Sequence, residues 1–288
     1  MTTNDTDRPP KSDEAALQMA TTSQAFEHLL QRVSELGVPY GREDSFKMAP
    51  GRMLQNRVLI GIQSTHLRAS AFFDIASELG MPGDCPALLL PQMAQANALF
   101  FGIEDRPGGS VCKVYLEFWD RVRQQVRRTG AKTPLLLHMG VKWDSALAGR
   151  HELARYMCYP LLSNQDILRR MAAVYPHNKL TLAGEAALGM VCQGVKRNPT
   201  ASLLYLEASE GGNPRCSFDV NLYKTGMRVA DAGPELRLAA GHLGISPEAI
   251  EAQLQRLGSC PLGHLSGGTD RHGDEFLSVY GEIQALPA

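Results

Sequence analysis

The stretch Ser-Val-Cys-Lys-Val-Tyr-Leu-Glu-Phe at residues 110–118 alternates, from its third residue onward, between two kinds of side chain. One set is apolar, and the other consists of Lys113, Tyr115 and Glu117. A repeat of two residues predicts a β-strand whose apolar face rests on a packed layer. The opposite face, with its lysine and tyrosine, must then meet either solvent or an enclosed space.

The same alternation returns in four other stretches, and each of the five stretches follows another strand-like run. The sequence therefore predicts five hairpins, formed by residues 57–63 with 66–73, 98–105 with 110–118, 134–144 with 153–159, 202–207 with 217–223, and 262–267 with 276–282. Helical patterns lie between the hairpins. Because one strand–strand–helix unit repeats, we predict an α/β fold with a single closed ten-stranded antiparallel barrel and the helices outside.

The polar faces of the second strands would line the lumen of this barrel. They carry single cations, tyrosines and an aspartate, namely Arg68, Lys113, Tyr115, Arg155, Tyr159, Asp219, Tyr223 and Tyr280. The plainer interpretation is a sheet that is wetted on one side. Four of the five second strands nevertheless place a tyrosine on this face, which is unusual for a surface in water, and we therefore favour an enclosed lumen.

Composition narrows the class of protein. The chain has 288 residues, 44% of them hydrophobic, and a net charge of -1, so we expect neither a nucleic-acid nor a membrane partner. None of the six cysteines forms a Cys-x-x-Cys pair, which argues against a metal held by the protein. We expect a disordered tail at residues 1–15, a single barrel domain at residues 16–288, and a cytoplasmic location.

The predicted lumen suggests a particular chemistry. Arg68, Lys113 and Arg155 would converge on one spot, and such cations bind diphosphate oxygens well. Tyrosine ring faces stabilise a carbocation through their quadrupole. A diphosphate grip beside an aromatic wall is suited to ionising an allylic diphosphate and shielding the cation from water. The chain has no Asp-Asp-x-x-Asp run, so the metal-first ionisation of all-helical isoprenoid enzymes is not available.

Three short motifs, in this order along the chain, resemble a known family. They are Arg68 with Phe72-Phe73-Asp74, then Gly102-Ile103-Glu104-Asp105-Arg106 ahead of Lys113-x-Tyr115, and finally the hairpin at residues 267–280. With them the chain resembles the ABBA-type aromatic prenyltransferases, whose barrel is built from five strand pairs with helices outside. It is most similar to the branch that prenylates cyanobactin-type ribosomal peptides.

The resemblance implies roles for these residues. Arg68, Lys113 and Arg155 would hold diphosphate, and the tyrosines would shield the prenyl cation, namely Tyr115, Tyr159, Tyr223 and Tyr280. The chain departs from the indole branch at Met157, where that branch has a lysine. The family often has a glutamate on its first strand as the base, whereas residues 57–63 contain no carboxylate. Glu104 and Asp219 are therefore the predicted substitutes.

The sequence thus predicts a prenyltransferase that moves a dimethylallyl or longer group from an allylic diphosphate to a Tyr, Trp, Ser/Thr or Arg side chain of a ribosomal or cyclic peptide. No cofactor is required by the sequence, although magnesium could accompany the diphosphate. Two alternatives remain open at this point. The acceptor could be a small phenol or indole, or the barrel could bind an isoprenoid or acyl phosphate without catalysis.

Overall fold

The computed structural model describes residues 23–106, 108–130, 132–147, 149–175 and 180–286. Ten strands form one closed antiparallel barrel in which each strand pairs with its neighbours in sequence and β10 pairs with β1. The strands are β1 Tyr40–Ala49, β2 Arg52–Gln63, β3 Ala98–Arg106, β4 Gly109–Glu117, β5 Leu135–Asp144, β6 His151–Cys158, β7 Leu204–Glu210, β8 Cys216–Asn221, β9 Leu262–Thr269 and β10 Glu275–Leu286. The predicted fold class is confirmed. The predicted tail at residues 1–15 lies outside the described residues.

Within the described residues, eight α-helices cover the outside of the barrel. They are α1 Gln24–Glu35, α2 Ala69–Glu78, α3 Cys85–Met93, α4 Trp119–Thr129, α5 Asn164–Ala173, α6 Leu182–Arg197, α7 Gly233–His242 and α8 Pro247–Leu257. In the described part of the chain, none of them combines the length and the apolar character that a membrane span would need.

The core lies between the strands and these helices. Val114 of β4 and Phe101 of β3 pack in one buried cluster with Phe72 of α2. Phe218 of β8 packs in a second cluster with Met190 of α6. Because side chains alternate along a strand, burying these residues on the outer face turns their neighbours toward the lumen.

The first hairpin differs from the prediction. Residues 66–73 do not form a strand, because α2 begins at Ala69 and buries Phe72, Ile75 and Ala76 at helical spacing. The partner of β2 is β1, which pairs with it through the turn at Gly51, where φ is +67°.

The sequence pattern of β1 explains why it was missed. Its outer face carries Arg42 and Asp44, which form an ion pair with an Nε–Oδ1 distance of 2.7 Å. Arg256 of α8 also approaches Asp44, with 3.4 Å between Nη1 and Oδ2. Phe46 and Met48 continue the same face as buried apolar residues, but with the first half of the face charged, two apolar residues are too few to show the period of two.

The lumen face of β6 was also predicted the wrong way round. Tyr156 lines the lumen, whereas Arg155 is exposed on the outside. The two faces of this strand each carry one tyrosine and one sulfur-containing residue, so alternation alone could not choose between them. A shift of one residue exchanges every side chain between the faces.

Candidate active site

The lumen contains two cavities that share a layer of side chains. The basic compartment, of about 410 Å³, is lined by eight Lys and Arg residues and three carboxylate residues, with Lys47, Lys142, Arg215 and Arg271 among the cations. The acidic compartment, of about 430 Å³, is lined by Glu43, Glu117, Asp219 and Glu282 together with His138 and His264. The shared layer contains Arg57, Lys113, Tyr115, Tyr156, Asp219 and Tyr280.

A buried carboxylate organises the cations of the shared layer. Glu104 of β3 accepts hydrogen bonds through Oε2 from Arg57 Nε and Lys113 Nζ, each at 3.0 Å. Its Oε1 accepts from Arg106 Nε at 2.9 Å. Arg57 also donates to Ser45 Oγ and to the Tyr280 hydroxyl, each at 3.3 Å. These contacts fix the guanidinium of Arg57 at the centre of the barrel.

The surroundings of this cluster lower the pKa of both Glu104 and Lys113. Burial favours the neutral form of Glu104, but Lys113, Arg57 and Arg106 outweigh it and hold the pKa of Glu104 well below its usual range. Burial lowers the pKa of Lys113 to about 7, with Glu104 opposing and Arg57 assisting the shift. An anion arriving here would restore the charged form of the lysine.

A second cluster of the same kind lies in the basic compartment. Glu210 of β7 accepts from Lys142 Nζ and from Arg215 Nη1, the latter at 2.6 Å. Burial, with Arg215 adding to the effect, lowers the pKa of Lys142 to about 7. Lys47 lies 4.4 Å from the ring centroid of Phe276, and burial lowers its pKa to about 8. The compartment therefore holds more positive charge than its carboxylates neutralise.

Aromatic rings fill much of the shared layer. Tyr115 and Tyr156 meet edge to face with ring centroids 5.6 Å apart, and the Arg57 guanidinium lies 5.4 Å from the Tyr280 ring centroid. Tyr115 depends on a glycine on the next strand, because a Cβ at Gly140 would lie 2.2 Å from its Cδ1. The layer thus presents ring faces and edges between the two compartments.

The acidic compartment is built around a histidine between two carboxylates. His264 Nδ1 lies 2.7 Å from Asp219 Oδ1, and its Nε2 lies 3.9 Å from Glu43 Oε1. Burial would lower the pKa of His264, but Asp219 and Glu43 raise it to about 9. The Tyr223 hydroxyl donates to Glu43. A glycine makes room for this pair, because a Cβ at Gly263 would lie 2.6 Å from the Tyr223 hydroxyl oxygen.

No protein-family model matches the chain, and no curated protein matches it. Several solved structures do. NotF prenyltransferase is 10% identical, with a TM-score of 0.52 over 87% of this chain and 81% of that chain. NotF in complex with brevianamide F and DMSPP gives 12% identity and a TM-score of 0.50 over 87% and 80%. A 6-dimethylallyltryptophan synthase from Micromonospora olivasterospora, in complex with DMASPP and Trp, gives 11% and 0.50 over 90% and 96%.

This chain has the ABBA prenyltransferase-barrel fold. At these identities the likeness concerns the fold, and membership of the cyanobactin-type branch stays a prediction. Within this prenyltransferase barrel, six of the predicted site residues line the two compartments, namely Glu104, Lys113, Tyr115, Asp219, Tyr223 and Tyr280.

Three predicted site residues lie elsewhere in the prenyltransferase barrel. Arg68 is exposed at the N-cap of α2, because the segment that carries it is not a strand. Arg155 is exposed because β6 turns its other face inward. Tyr159 donates to Glu207 at 2.6 Å and packs 3.7 Å from the Arg170 guanidinium in the helical layer. The prediction that these three face the lumen is therefore wrong.

The structure also adds residues that the sequence interpretation missed. Arg57 lies on β2 and Lys142 on β5, two strands whose near-continuous apolar runs obscure the period of two. Glu43 lies on the strand that was not predicted at all. It supplies the first-strand carboxylate that the prediction found lacking, because residues 57–63 belong to β2. Counting two residues forward from Gly140 in β5 would have revealed Lys142.

Potential metal ligands are grouped outside the lumen. Asp84, Cys85 and His151 bring ligand atoms within 4.8 Å of one another between α3 and β6. Cys85 belongs to the core cluster outside the barrel, so this group does not face either compartment. The basic compartment of the lumen is instead lined by lysine and arginine side chains, whose nitrogens can bind an anion.

Proposed function

We propose that the chain is a prenyltransferase that moves a dimethylallyl or longer group from an allylic diphosphate to an electron-rich side chain of a small or cyclic peptide. The observation that carries this proposal is the order of the lumen. Buried cations in excess, then aromatic rings, and then carboxylates follow one another along a single barrel. Anionic donor, allylic cation and proton-releasing acceptor need these surroundings in the same order.

The basic compartment would hold the diphosphate. Arg57 offers a planar fork, and Lys113 and Lys142 offer point charges whose lowered pKa makes an incoming anion a favourable partner. The negative charge that develops on the leaving oxygen as the C1–O bond breaks would be met by groups already in place. Such preorganised charge is the largest single contribution in many enzymes.

The aromatic layer would shield the cation. Tyr115, Tyr156 and Tyr280 lie between the two compartments, where their rings can stabilise positive charge without acting as nucleophiles. Burial raises the pKa of Tyr115 well above its usual value, and the neighbouring Tyr156 adds to the effect. The Tyr115 hydroxyl would therefore stay protonated and resist prenylation itself.

The proton of the acceptor would leave to Glu43. Glu104, one of the two bases predicted from the sequence, is bound to three cations that keep its pKa very low, so it is a poor proton acceptor. Asp219, the other, is engaged by His264 at 2.7 Å. Glu43 faces the acidic compartment with one oxygen held by Tyr223. In the step, the acceptor forms a bond to C1, the C1–O pair leaves with diphosphate, and the proton passes to Glu43.

The peptide acceptor is the finer part of this proposal. It rests on the short motifs described above, two of which lie in lumen-lining hairpins, β3 with β4 and β9 with β10. The acidic compartment, of about 430 Å³, falls within the range of pockets that bind small ligands. That space suits one side chain and part of its backbone.

The test is to incubate the protein with dimethylallyl diphosphate and a panel of peptides, phenols and indoles. We expect diphosphate release and a prenylated product detected by mass. Lys113→Met should slow both by about 100-fold, the usual cost of removing one preorganised group. Arg155→Met, which also replaces a cation by methionine but at an exposed position outside the lumen, should leave both rates at the wild-type level.

Two outcomes would contradict the proposal. Binding of dimethylallyl diphosphate without release of diphosphate, whatever the acceptor, would indicate a non-catalytic isoprenoid-binding barrel. Full activity in Lys113→Met would remove the role of the basic compartment.

A further inference from the structure

Two carboxylates stand side by side on neighbouring strands in the wall of the acidic compartment. Glu43 of β1 and Glu282 of β10 are directly opposite in the strand register, and both line the cavity. Like charges directly opposite on neighbouring strands destabilise a sheet. In the part of the chain that the structure describes, the Glu282 side chain has no hydrogen bond or ion pair. Two cations of the shared layer, Arg57 and Lys113, also line this cavity, but both donate to Glu104 and neither contacts Glu43 or Glu282.

The other positive groups do not balance these two carboxylates either. His264 is shared between Asp219 and Glu43, so at most one imidazolium serves two carboxylates. Arg42 borders the same cavity, but its side chain lies on the outer face of β1, where its guanidinium is bound to Asp44 through two hydrogen bonds of 2.7 and 3.0 Å.

The remaining histidine is also engaged. His138 Nε2 lies 3.3 Å from Glu117 Oε2, which is a fourth carboxylate of the same cavity. The pKa of Tyr223 shows the effect of these carboxylates. Burial raises its pKa, and Glu43, Glu282 and Asp219 raise it further.

Two half-buried carboxylates side by side, of which Glu282 has no positive partner in the described part of the chain, favour a cation among the contents of the cavity. Under the proposed function this cavity holds the acceptor, since it adjoins the shared layer where transfer would occur. The carboxylates therefore indicate which kind of acceptor occupies it. Cations in the basic compartment face the donor, and the opposite sign faces the acceptor.

We propose that the acceptor carries a cationic nitrogen group, a guanidinium or a primary ammonium, seated between Glu43 and Glu282. This inference rests on the proposed function. A guanidinium could bridge carboxylates on two strands with its fork of donors. An ammonium could make the same bridge as a point charge while an attached ring faces the shared layer.

The two sources differ in the atom that is prenylated. With a guanidinium, a terminal nitrogen forms the bond to C1, diphosphate leaves with the C1–O pair, and one N–H proton passes to Glu43, so the product remains a guanidinium. With an ammonium, the charged nitrogen stays intact and a ring atom forms the bond to C1. The ring proton then passes to Glu43.

The experiment compares matched acceptors that differ in charge alone. Arginine and citrulline, each with acetylated amino and amidated carboxyl ends, form one pair, and tryptamine and 3-propylindole form the other. Binding is measured calorimetrically with a non-reactive thiolodiphosphate analogue of dimethylallyl diphosphate present. We expect the charged member of at least one pair to bind at least 10-fold more tightly. With the true diphosphate, fragmentation of the product locates the prenyl group and so distinguishes guanidine from ring attack.

A variant pair ties the effect to the residues. Glu282→Gln should weaken binding of the charged acceptor about 10-fold and leave its neutral partner unchanged, because this carboxylate has no other partner to lose. Glu248→Gln makes the same change at an exposed position on α8 and should alter neither.

Distinct results would overturn the inference and the proposed function. Equal binding and equal prenylation of charged and neutral acceptors would leave the transferase standing and refute the cationic acceptor. Equal weakening of both acceptors by Glu282→Gln would do the same. Failure of the donor analogue to bind, with no diphosphate released for any acceptor, would remove the proposed function and the inference with it.

Discussion

The two compartments of the lumen are built from the same strands but differ in how their carboxylates are paired with positive groups. In the basic compartment each buried carboxylate is saturated, as Glu104 is by Arg57, Lys113 and Arg106, and positive charge remains in excess. In the acidic compartment one histidine, His264, is shared by two carboxylates, and Glu282 has no positive partner in the described part of the chain. Both sets of side chains come from alternate positions of the same strands.

The comparison indicates which charge each compartment favours in a ligand. Burial pushes Lys113 and Lys142 toward their neutral forms, so these lysines gain most from an anionic ligand. Asp219 and Glu43 raise the pKa of His264 and so favour its charged form. The negative charge of the acidic compartment therefore comes from carboxylates that His264 does not contact. A diphosphate would neutralise positive charge in the basic compartment, and a cationic or proton-releasing acceptor would neutralise negative charge in the acidic compartment.

The sharpest way to break this comparison is Glu43→Gln. Glutamine keeps an oxygen for the Tyr223 hydroxyl but cannot take a proton, so transfer at saturating acceptor should fall about 1,000-fold, within the range for loss of a general base. Binding of the donor analogue should stay within about 2-fold, because Glu43 lies outside the basic compartment. The measurement is a single-turnover rate together with a calorimetric titration.

Glu248→Gln serves as the control for this change of charge. Retention of the wild-type transfer rate in Glu43→Gln would show that the proton leaves by another route, such as Asp219 or the released diphosphate. The acidic compartment would then bind the acceptor without taking its proton.

Lys142→Met tests the other compartment. We expect the dissociation constant of the donor analogue to rise about 30-fold, since a buried charge-assisted contact contributes about 2 kcal/mol. Acceptor binding should not change. Arg68→Met, at the exposed N-cap of α2, removes a cation that the sequence had placed in the lumen and should have no effect. An equal loss in both variants would point to a general charge effect rather than to the compartment.

Most of the barrel could be predicted from alternation, because β4, β8 and β10 each bury one face under helices and turn the other inward. Prediction failed where this contrast is absent. β1 carries ion pairs on its outer face, and β6 has similar side chains on both. Residues 66–73 alternate through alanines that suit a helix equally well, and only the burial of Phe72 beside Ile75 and Ala76 decides the matter.

The site was predictable to the extent that its strands were. Lys113, Tyr115, Asp219 and Tyr280 lie on strands with clear faces and were placed correctly in the lumen. The partners that give them their electrostatics come from distant parts of the chain. Arg57 meets Glu104 because β2 pairs with β3 in a fixed register, and a register between strands cannot be derived from the period within one.

The pH dependence should separate the compartments with a moderate effect. Ammonium groups are charged below their pKa, so the lysines with pKa values of about 7 and about 8 lose charge as the pH rises through this window. We expect affinity for the donor analogue to fall about 10-fold between about pH 7 and about pH 9. Binding near pH 8 should take up protons, which calorimetry in buffers of different ionisation enthalpy would detect.

A double variant provides the reference for this titration. Lys113→Met with Lys142→Met removes two of the titrating groups while the titration of the ligand itself is unchanged, so its affinity should depend less steeply on pH. An identical slope in both proteins would assign the effect to the ligand and not to the lysines.

The smallest expected effect is that of removing metal ions. If lysine and arginine nitrogens neutralise the diphosphate, a chelator should change the transfer rate by no more than about 2-fold, because the positive charge needed for ionisation is part of the fold. The assay compares chelated protein with protein given excess magnesium. A loss of 10-fold or more on chelation would mean that the excess charge of the basic compartment does not suffice for ionisation. Both compartments would then need a bound cation to complete their charge balance, because the basic compartment would depend on a metal ion to neutralise the diphosphate.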